Sequence, residues 1–268
     1  KLVTPRRLTV SIIGLAQKTE GFKEERRGPK TDAPEKAVHG FLNSVGLTIN
    51  DIEKRKTDKG EFFYAVINVP GQNAVDLLPT VVEQAIKKIS WPKSMRWSNH
   101  TVRWVRPINN ILCIFNGNIL PIKFGPFAAC DFTISHRMLG SRKIKIKDLQ
   151  DYKKVMKEGN ILIDRKERRD RIIEEATALL EKEGLRLVND DNLLEEVLGL
   201  VEKPVVLMGS IDPEFMDVPS EVLVTTMKKN QKYFSLTTPD GRLAPKFLVV
   251  ANQLGKDGGA AIVAGNEK

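Results

Sequence analysis

No run of eighteen or more apolar residues occurs in this chain, so the sequence offers no membrane-spanning helix. Cysteine is nearly absent: Cys113 lies in an apolar run, Cys130 precedes Asp131, and neither belongs to a Cys-x-x-Cys pair. That argues against zinc and against a disulfide framework, and leaves two free thiols in a reducing compartment as the expectation. Residues 1–8 carry no apolar core of the signal-peptide kind, which points to a cytoplasmic location. The sequence also lacks a Gly-x-x-x-x-Gly-Lys-Ser/Thr loop, a Gly-x-Gly-x-x-Gly after a strand, a His-Glu-x-x-His and a Gly-x-Ser-x-Gly. Of only three histidines, His39 and His100 read as fold or surface residues, and His136 has no metal or nucleophile partner in view. No catalytic residue, no metal and no cofactor is expected within this chain.

What is present is an ordinary globular balance, 41% hydrophobic and 29% charged over 268 residues, long enough for two domains. Forty-three Lys plus Arg against 34 Asp plus Glu give a net charge of +9, which favours a polyanionic partner. Charge alone leaves RNA, DNA and an acidic membrane surface open.

Leu8, Val10 and Ile12 alternate with Thr9 and Ser11, predicting a half-buried strand before Gly14. Residues 18–36 are polar and turn-rich and read as a loop. Ala37, Val38, Phe41 and Leu42 share one face of a short helix that Gly46 ends. A strand over 61–69 leaves through Pro70-Gly71, and a helix over 73–89 stops at Trp91-Pro92. Two apolar runs, 111–115 and 119–124, flank an Asn-Gly-Asn hairpin signal. Residues 127–140 look irregular, and 143–147 alternate as a strand with one basic face. Asp164 and Glu167 resemble a capping box opening a helix to about residue 183, whose first turns crowd Arg165, Lys166, Arg168, Arg169 and Arg171 against the helix dipole. Local acids are expected to offset them. A helix over 193–201, a strand over 205–208, a helix over 221–230 and strands over 233–236 and 247–251 follow, before a Gly- and Ala-rich linker, 254–268. The class is α+β: two mixed α/β domains, 1–92 and 93–253.

One stretch, 91–117, gathers cations and indoles more densely than any other. Lys93, Arg96, Arg103 and Arg106 alternate with Trp91, Trp97 and Trp104. Such a pattern suits either cation–π packing at a structural seam or contacts to a polyanion such as RNA. Chemistry alone favours the seam, because charged runs are mostly solvated faces. Arg96, Arg103, Trp104, Arg106, His136, Arg137, Lys228, Lys229, Lys232 and Tyr233 come from separate segments. If the fold gathers them, they make a phosphate-tracking surface with Trp104 and Tyr233 as stacking partners.

Arg103, Arg106-Pro107, Ser135-His136-Arg137 and Asn230-Gln231-Lys232-Tyr233-Phe234 carry a resemblance, along the whole chain, to the β subunit of bacterial glycyl-tRNA synthetase. The resemblance implies a fragment of a longer RNA-binding protein, partnered in an α2β2 assembly by an α subunit that uses ATP to join glycine to tRNA(Gly), with no role for DNA or membrane. It further implies that the second domain is similar to the editing-type domain of the phenylalanyl-tRNA synthetase β chain. Asn230 and Lys203 depart from the family pattern, which usually shows His and Trp there. The first departure weakens any proton chemistry at that segment and not binding. Two alternatives stay open: a scaffold for the α subunit or the rest of β that binds no RNA, and a hydrolytic editing domain, disfavoured because glycine is the smallest amino acid.

Overall fold

The computed structural model describes residues 1–267, as a mixed α+β fold of small antiparallel sheets and helices. Among the described residues no helix is long and apolar enough to cross a membrane. The chain forms two compact units, and their limits differ from a division at residue 92. The terminal unit comprises Lys1–Ile12, Asn116–Asn118 and the residues from Cys130 on, while the inserted unit comprises Ile13–Phe115 and Ile119–Ala129.

The terminal unit opens with a hairpin of β1 (Leu2–Thr4) and β2 (Arg7–Thr9), in which Val3 faces Leu8 and Thr4 faces Arg7. Of the strand expected through Ile12 only Arg7–Thr9 forms, and there the faces are reversed. Thr4, Arg7 and Thr9 turn inward to hydrogen-bonding partners, while Val3, Leu8, Val10 and Ile12 are exposed, Ile12 at 71%.

In the inserted unit, the expected loop over 18–36 instead contains a nine-residue strand, β3 (Phe22–Lys30). Helix α1 (Glu35–Val45) follows, closed by Gly46 in the left-handed region at φ 67°. Strands β4 (Ile52–Thr57) and β5 (Gly60–Val69) complete an antiparallel sheet with β5 in the centre. The charges that disguise β3 and β4 belong there physically: both are edge strands, where charged side chains discourage pairing with other chains. Helix α2 (Ala74–Lys88) ends with Lys87 and Lys88 in its last turn, where cations suit the dipole. Asn116 and Gly117 take φ values of 48° and 77°, the positive pair a type I′ hairpin turn requires, between strands Ile114–Phe115 and Asn118–Ile119.

The main sheet of the terminal unit runs Arg186–Leu187, Phe234–Thr237, Leu243–Ala251, Val205–Ser210, all antiparallel. Helices Arg165–Glu183 and Asp191–Leu198 pack on it through Ile172, Ala176, Leu193 and Val197 against Phe234, Leu236 and Leu248. A second cluster joins Met227, Tyr233, Phe247 and Val249. Gly209 faces the Phe247 ring so closely that a Cβ there would lie 2.5 Å from it. Asp164 caps the long helix, accepting from the Lys166 and Glu167 N–H groups at 2.7 and 3.2 Å. Of the two nearby acids expected to offset the crowded cations, Glu167 and Asp170, Asp170 pairs with Lys166; Arg171 pairs with Glu175, while Arg165 pairs with Glu195 and Arg169 with Asp191 and Glu195 of the next helix. The segment after residue 254 is not wholly extended, since Asp257 accepts from the Ala261 N–H ahead of helix Ala260–Asn266.

Arg168 is the exception on that helix. Its side chain is buried and donates to the carbonyls of Leu162 (2.5 Å) and Val3 (2.7 Å). Beside it sits the Glu202 carboxylate, 1% exposed, which accepts from Thr4 Oγ1 at 2.6 Å and Arg7 Nε at 2.9 Å. Arg7 also donates to Thr133 Oγ1 and to the Ile134 carbonyl. His136, equally buried, accepts the Met138 N–H at Nδ1, so its proton resides on Nε2, an atom without a hydrogen-bond partner among the described residues. Asn252 lies near enough to favour protonation, but its Oδ1 already accepts from the Glu202 and Lys203 N–H groups. Burial pushes the His136 pKa down, against the opposing pull of Glu202.

Three outcomes follow from this packing. Gly209→Ala should destabilise the chain by about 1–3 kcal/mol in a denaturant titration, through overpacking against Phe247. Glu202→Ala should cost about 3–5 kcal/mol, because it leaves the inward Arg7 guanidinium without the carboxylate it pairs with. The unfolded chain protonates His136 near pH 6.5 and the folded chain only at lower pH, so this residue's share of stability is complete above 6.5 and declines as pH falls towards the folded value. A His136→Gln variant should show a flatter stability profile across pH 7 to 5; an unchanged profile would contradict a neutral buried ring.

Candidate nucleic-acid interface

In the inserted unit the tryptophan-bearing stretch folds back on itself. Met95 and Trp104 exchange backbone hydrogen bonds of 2.8 and 3.1 Å, closing a loop in which Ser98 takes a positive φ of 51°. Trp104 meets the edges of Trp91 (ring centres 5.0 Å apart) and Phe124 (5.5 Å), while Trp97 lies over Phe127 at 6.2 Å with His100 edge-on to both. Among the described residues no cation lies over any of the three indoles. The rings pack on one another because edge-to-face contacts satisfy their quadrupoles without desolvating a charge, and the cation–π seam suggested by the sequence is absent there.

The cations are therefore left at the rim. Arg96, Arg103 and Arg106 are exposed, as is Lys93, and none forms an ion pair among the described residues. Arg103 is positioned by its own loop, donating through Nε to Ser94 Oγ (3.1 Å) and through Nη2 to the Ser94 carbonyl (3.2 Å). Trp104 is half-buried.

The remaining candidates lie in the terminal unit, so the ten residues divide four and six. His136 is buried in the polar centre, and Arg137 is exposed at the start of the turn that follows it. Lys228, Lys229, Lys232 and Tyr233 are brought together in one feature: helix Ser220–Thr226 widens into a π-turn, Met227–Gln231, closed by Lys232 at φ 60°. Two of those lysines are already neutralised. Lys228 pairs with Asp190, whose pKa is held down mainly by that contact, and Lys232 pairs with Glu196 at 2.8 Å. Lys229 is exposed. Tyr233 is a core residue at 6% exposure; its ring lies flat on Phe247, 4.3 Å between centres, and its hydroxyl donates to Asn266. As placed here it offers no ring face for a base, because apolar burial on Phe247 outweighs leaving a large aromatic in water.

Sequence reasoning set Arg27 in a charged loop that could touch RNA and passed over Arg55. Arg27 stacks 3.6 Å above the centre of Phe62, and Arg55 lies 5.0 Å above Tyr64. A period-2 alternation of charge, Glu25 with Arg27 and Glu53 with Arg55, marks both strands and is the signal that would have found them. Among the described residues no group of three or more His, Cys, Asp or Glu is arranged to hold a metal ion.

Comparison with known proteins fits these parts together. The family model described as the glycyl-tRNA synthetase beta subunit matches residues 1–268. The chain is 42% identical across 99% of its length to the glycine–tRNA ligase beta subunit of Rhodospirillum centenum, and 44% identical across 100% to that of a Ruegeria species. That of Dinoroseobacter shibae is 43% identical across 99%. The alignments cover 41%, 39% and 37% of those relatives, so the chain spans about two fifths of their length. With the family matched from end to end and relatives above 40% identity throughout, the chain belongs to the glycyl-tRNA synthetase beta subunit family.

Proposed function

We propose that this chain is the part of a glycine–tRNA ligase beta subunit that holds tRNA(Gly), supporting ATP-dependent joining of glycine to that RNA at a partner α subunit in a cytoplasmic α2β2 enzyme. The observation that carries the reading is the match to the family over residues 1–268. Support for direct RNA contact comes from the rim of the inserted unit, where Arg96, Arg103 and Arg106 are exposed beside a packed aromatic floor and form no ion pair among the described residues. Cations so placed suit phosphate oxygens, and Arg137 and Lys229 add two more in the terminal unit. Lys228, Lys232 and Tyr233 contribute by holding the π-turn in shape and not as free contacts.

A second reading has its own observation. The outward face of the β1–β2 hairpin is apolar, which suits a protein surface better than a phosphate backbone, so this face is proposed to meet the α subunit or the rest of a longer β chain. A hydrolytic role for the terminal unit, of the editing kind found in the phenylalanyl-tRNA synthetase β chain, gains least. His136 is buried and its Nδ1 is occupied, while the neighbouring Ser135 hydroxyl donates to the Gly140 carbonyl.

Titration of tRNA(Gly) against the chain at increasing salt should show affinity falling linearly on a log–log plot. Arg103→Glu with Arg106→Glu should weaken binding and make the slope about two units shallower. Salt-independent binding, or a slope unmoved by the double variant, would remove these arginines from the interface. In parallel, Leu8→Lys with Val10→Lys should leave tRNA affinity intact and abolish capture of purified α subunit if the hairpin face is the protein contact.

A further inference from the structure

The sheet of the inserted unit has two unlike faces. In an antiparallel sheet, directly opposed residues share a face. Phe63, paired with Lys54, and Ala65, paired with Ile52 and Arg26, lie on one side, where both are buried. Helix α1 packs on β3, its Phe41 ring filling the space at Gly28. The other side holds Phe62 and Tyr64 of β5, with Lys23, Glu25, Arg27 and Lys30 from β3 and Glu53 and Arg55 from β4. Four cations there face two acids, and the charged residues of β3 are exposed.

On this face both arginines lie over aromatic rings, and Arg55 is also bound along its edge. Arg55 donates from Nη1 and Nη2 to both oxygens of Glu25 at 3.0 Å, and from Nε to Glu53 at 2.9 Å, so the donors along its edge are saturated. Glu25 foremost holds its pKa above the ordinary arginine value. Its inner surface lies over Tyr64, and that of Arg27 lies over Phe62. Arg27 forms no ion pair among the described residues. A guanidinium with its edge satisfied and one surface on a ring presents its other surface to solvent as a flat, weakly hydrated cation, the surface on which a nucleobase stacks.

We propose that Arg27 and Arg55 form a stacking platform for two consecutive unpaired nucleotides of RNA. The proposal rests on the RNA-binding reading above and adds where and how bases are held. Phe62 and Tyr64 are two residues apart on one strand, about 7 Å along it. That is twice the roughly 3.4 Å step of a stacked duplex strand. Bases placed over both arginines are therefore splayed apart, as in single-stranded RNA, and a duplex does not fit. The excess of cations on the face, with Lys23 and Lys30 at its ends, complements the linking phosphates.

The test uses the whole chain and a short single-stranded RNA carrying adjacent 2-aminopurines, with the corresponding hairpin duplex and tRNA(Gly) as companions. Stacking should quench the 2-aminopurine fluorescence of the single strand and not of the duplex. Arg27→Lys and Arg55→Lys keep the charge and remove the plane. The double variant should lose the quench and about tenfold in single-strand affinity, with the salt slope unchanged and circular dichroism as in the parent. Arg27→Lys alone, which breaks no ion pair, should lose a substantial share of both. If the lysine variants quench and bind as the parent does while tRNA(Gly) still binds, the platform is wrong and the RNA-binding reading survives. If the parent binds neither RNA, both fall, and a protein-facing role for this chain takes their place.

Discussion

The carboxylate of Glu202 is the interaction on which the terminal unit depends. Its side chain receives Thr4 and Arg7 from the hairpin, its N–H reaches Asn252 at the end of the central strand, and its carbonyl accepts the Leu162 N–H. Arg168 lies close enough to feel its charge. Arg7 pairs with this carboxylate while Arg168 rests on the Leu162 and Val3 carbonyls, so each charge has a partner in a place where charge is costly. Nearby, burial foremost pushes the His136 pKa down, while Glu202 pulls it up.

The same accounting runs through the rest of the molecule. A net charge of +9 suggests a uniformly basic surface, yet the densest cationic run, at the start of helix Arg165–Glu183, is matched by acids or buried carbonyls at every position described above. The lysines that grip the π-turn are likewise engaged. Among the described residues, Arg96, Arg103 and Arg106 at the aromatic loop and Arg27 on the open face of the three-stranded sheet form no ion pair. In both places the cation adjoins a ring system, beside it in one and on top of it in the other.

Much of this was legible in the chain. Asp164 and Gly184 bracket the long helix as a capping residue and a left-handed glycine should, Gly46 ends α1, and Asn116-Gly117 makes its turn. These are local signals, decided within a few residues. What escaped was decided at a distance. Strand β3 carries charge where a strand usually carries apolar alternation, because its stabilisation comes from the aromatic surface of β5 and from being an edge. The reversed faces of the β1–β2 hairpin follow from Glu202, far along the chain, and no local pattern says which side of an alternating strand will be wet. Among the candidate residues, charge and aromaticity alone set the choice. Whether an individual lysine is free, or a tyrosine accessible, depended on Asp190, Glu196 and Phe247, which only the fold brings near.

The hairpin also fixes an order of events. Arg7 must wait for Thr133, 126 residues later, and for Glu202, 195 residues later, before it has its buried partners. At ribosomal speeds of roughly 5–20 residues per second, that interval is on the order of ten seconds or more. The inserted unit is complete by then, since its last residue is Ala129. Folding on the ribosome therefore completes the terminal unit after the insert, with Thr4 and Arg7 of the nascent hairpin in the meantime lacking their buried partner Glu202.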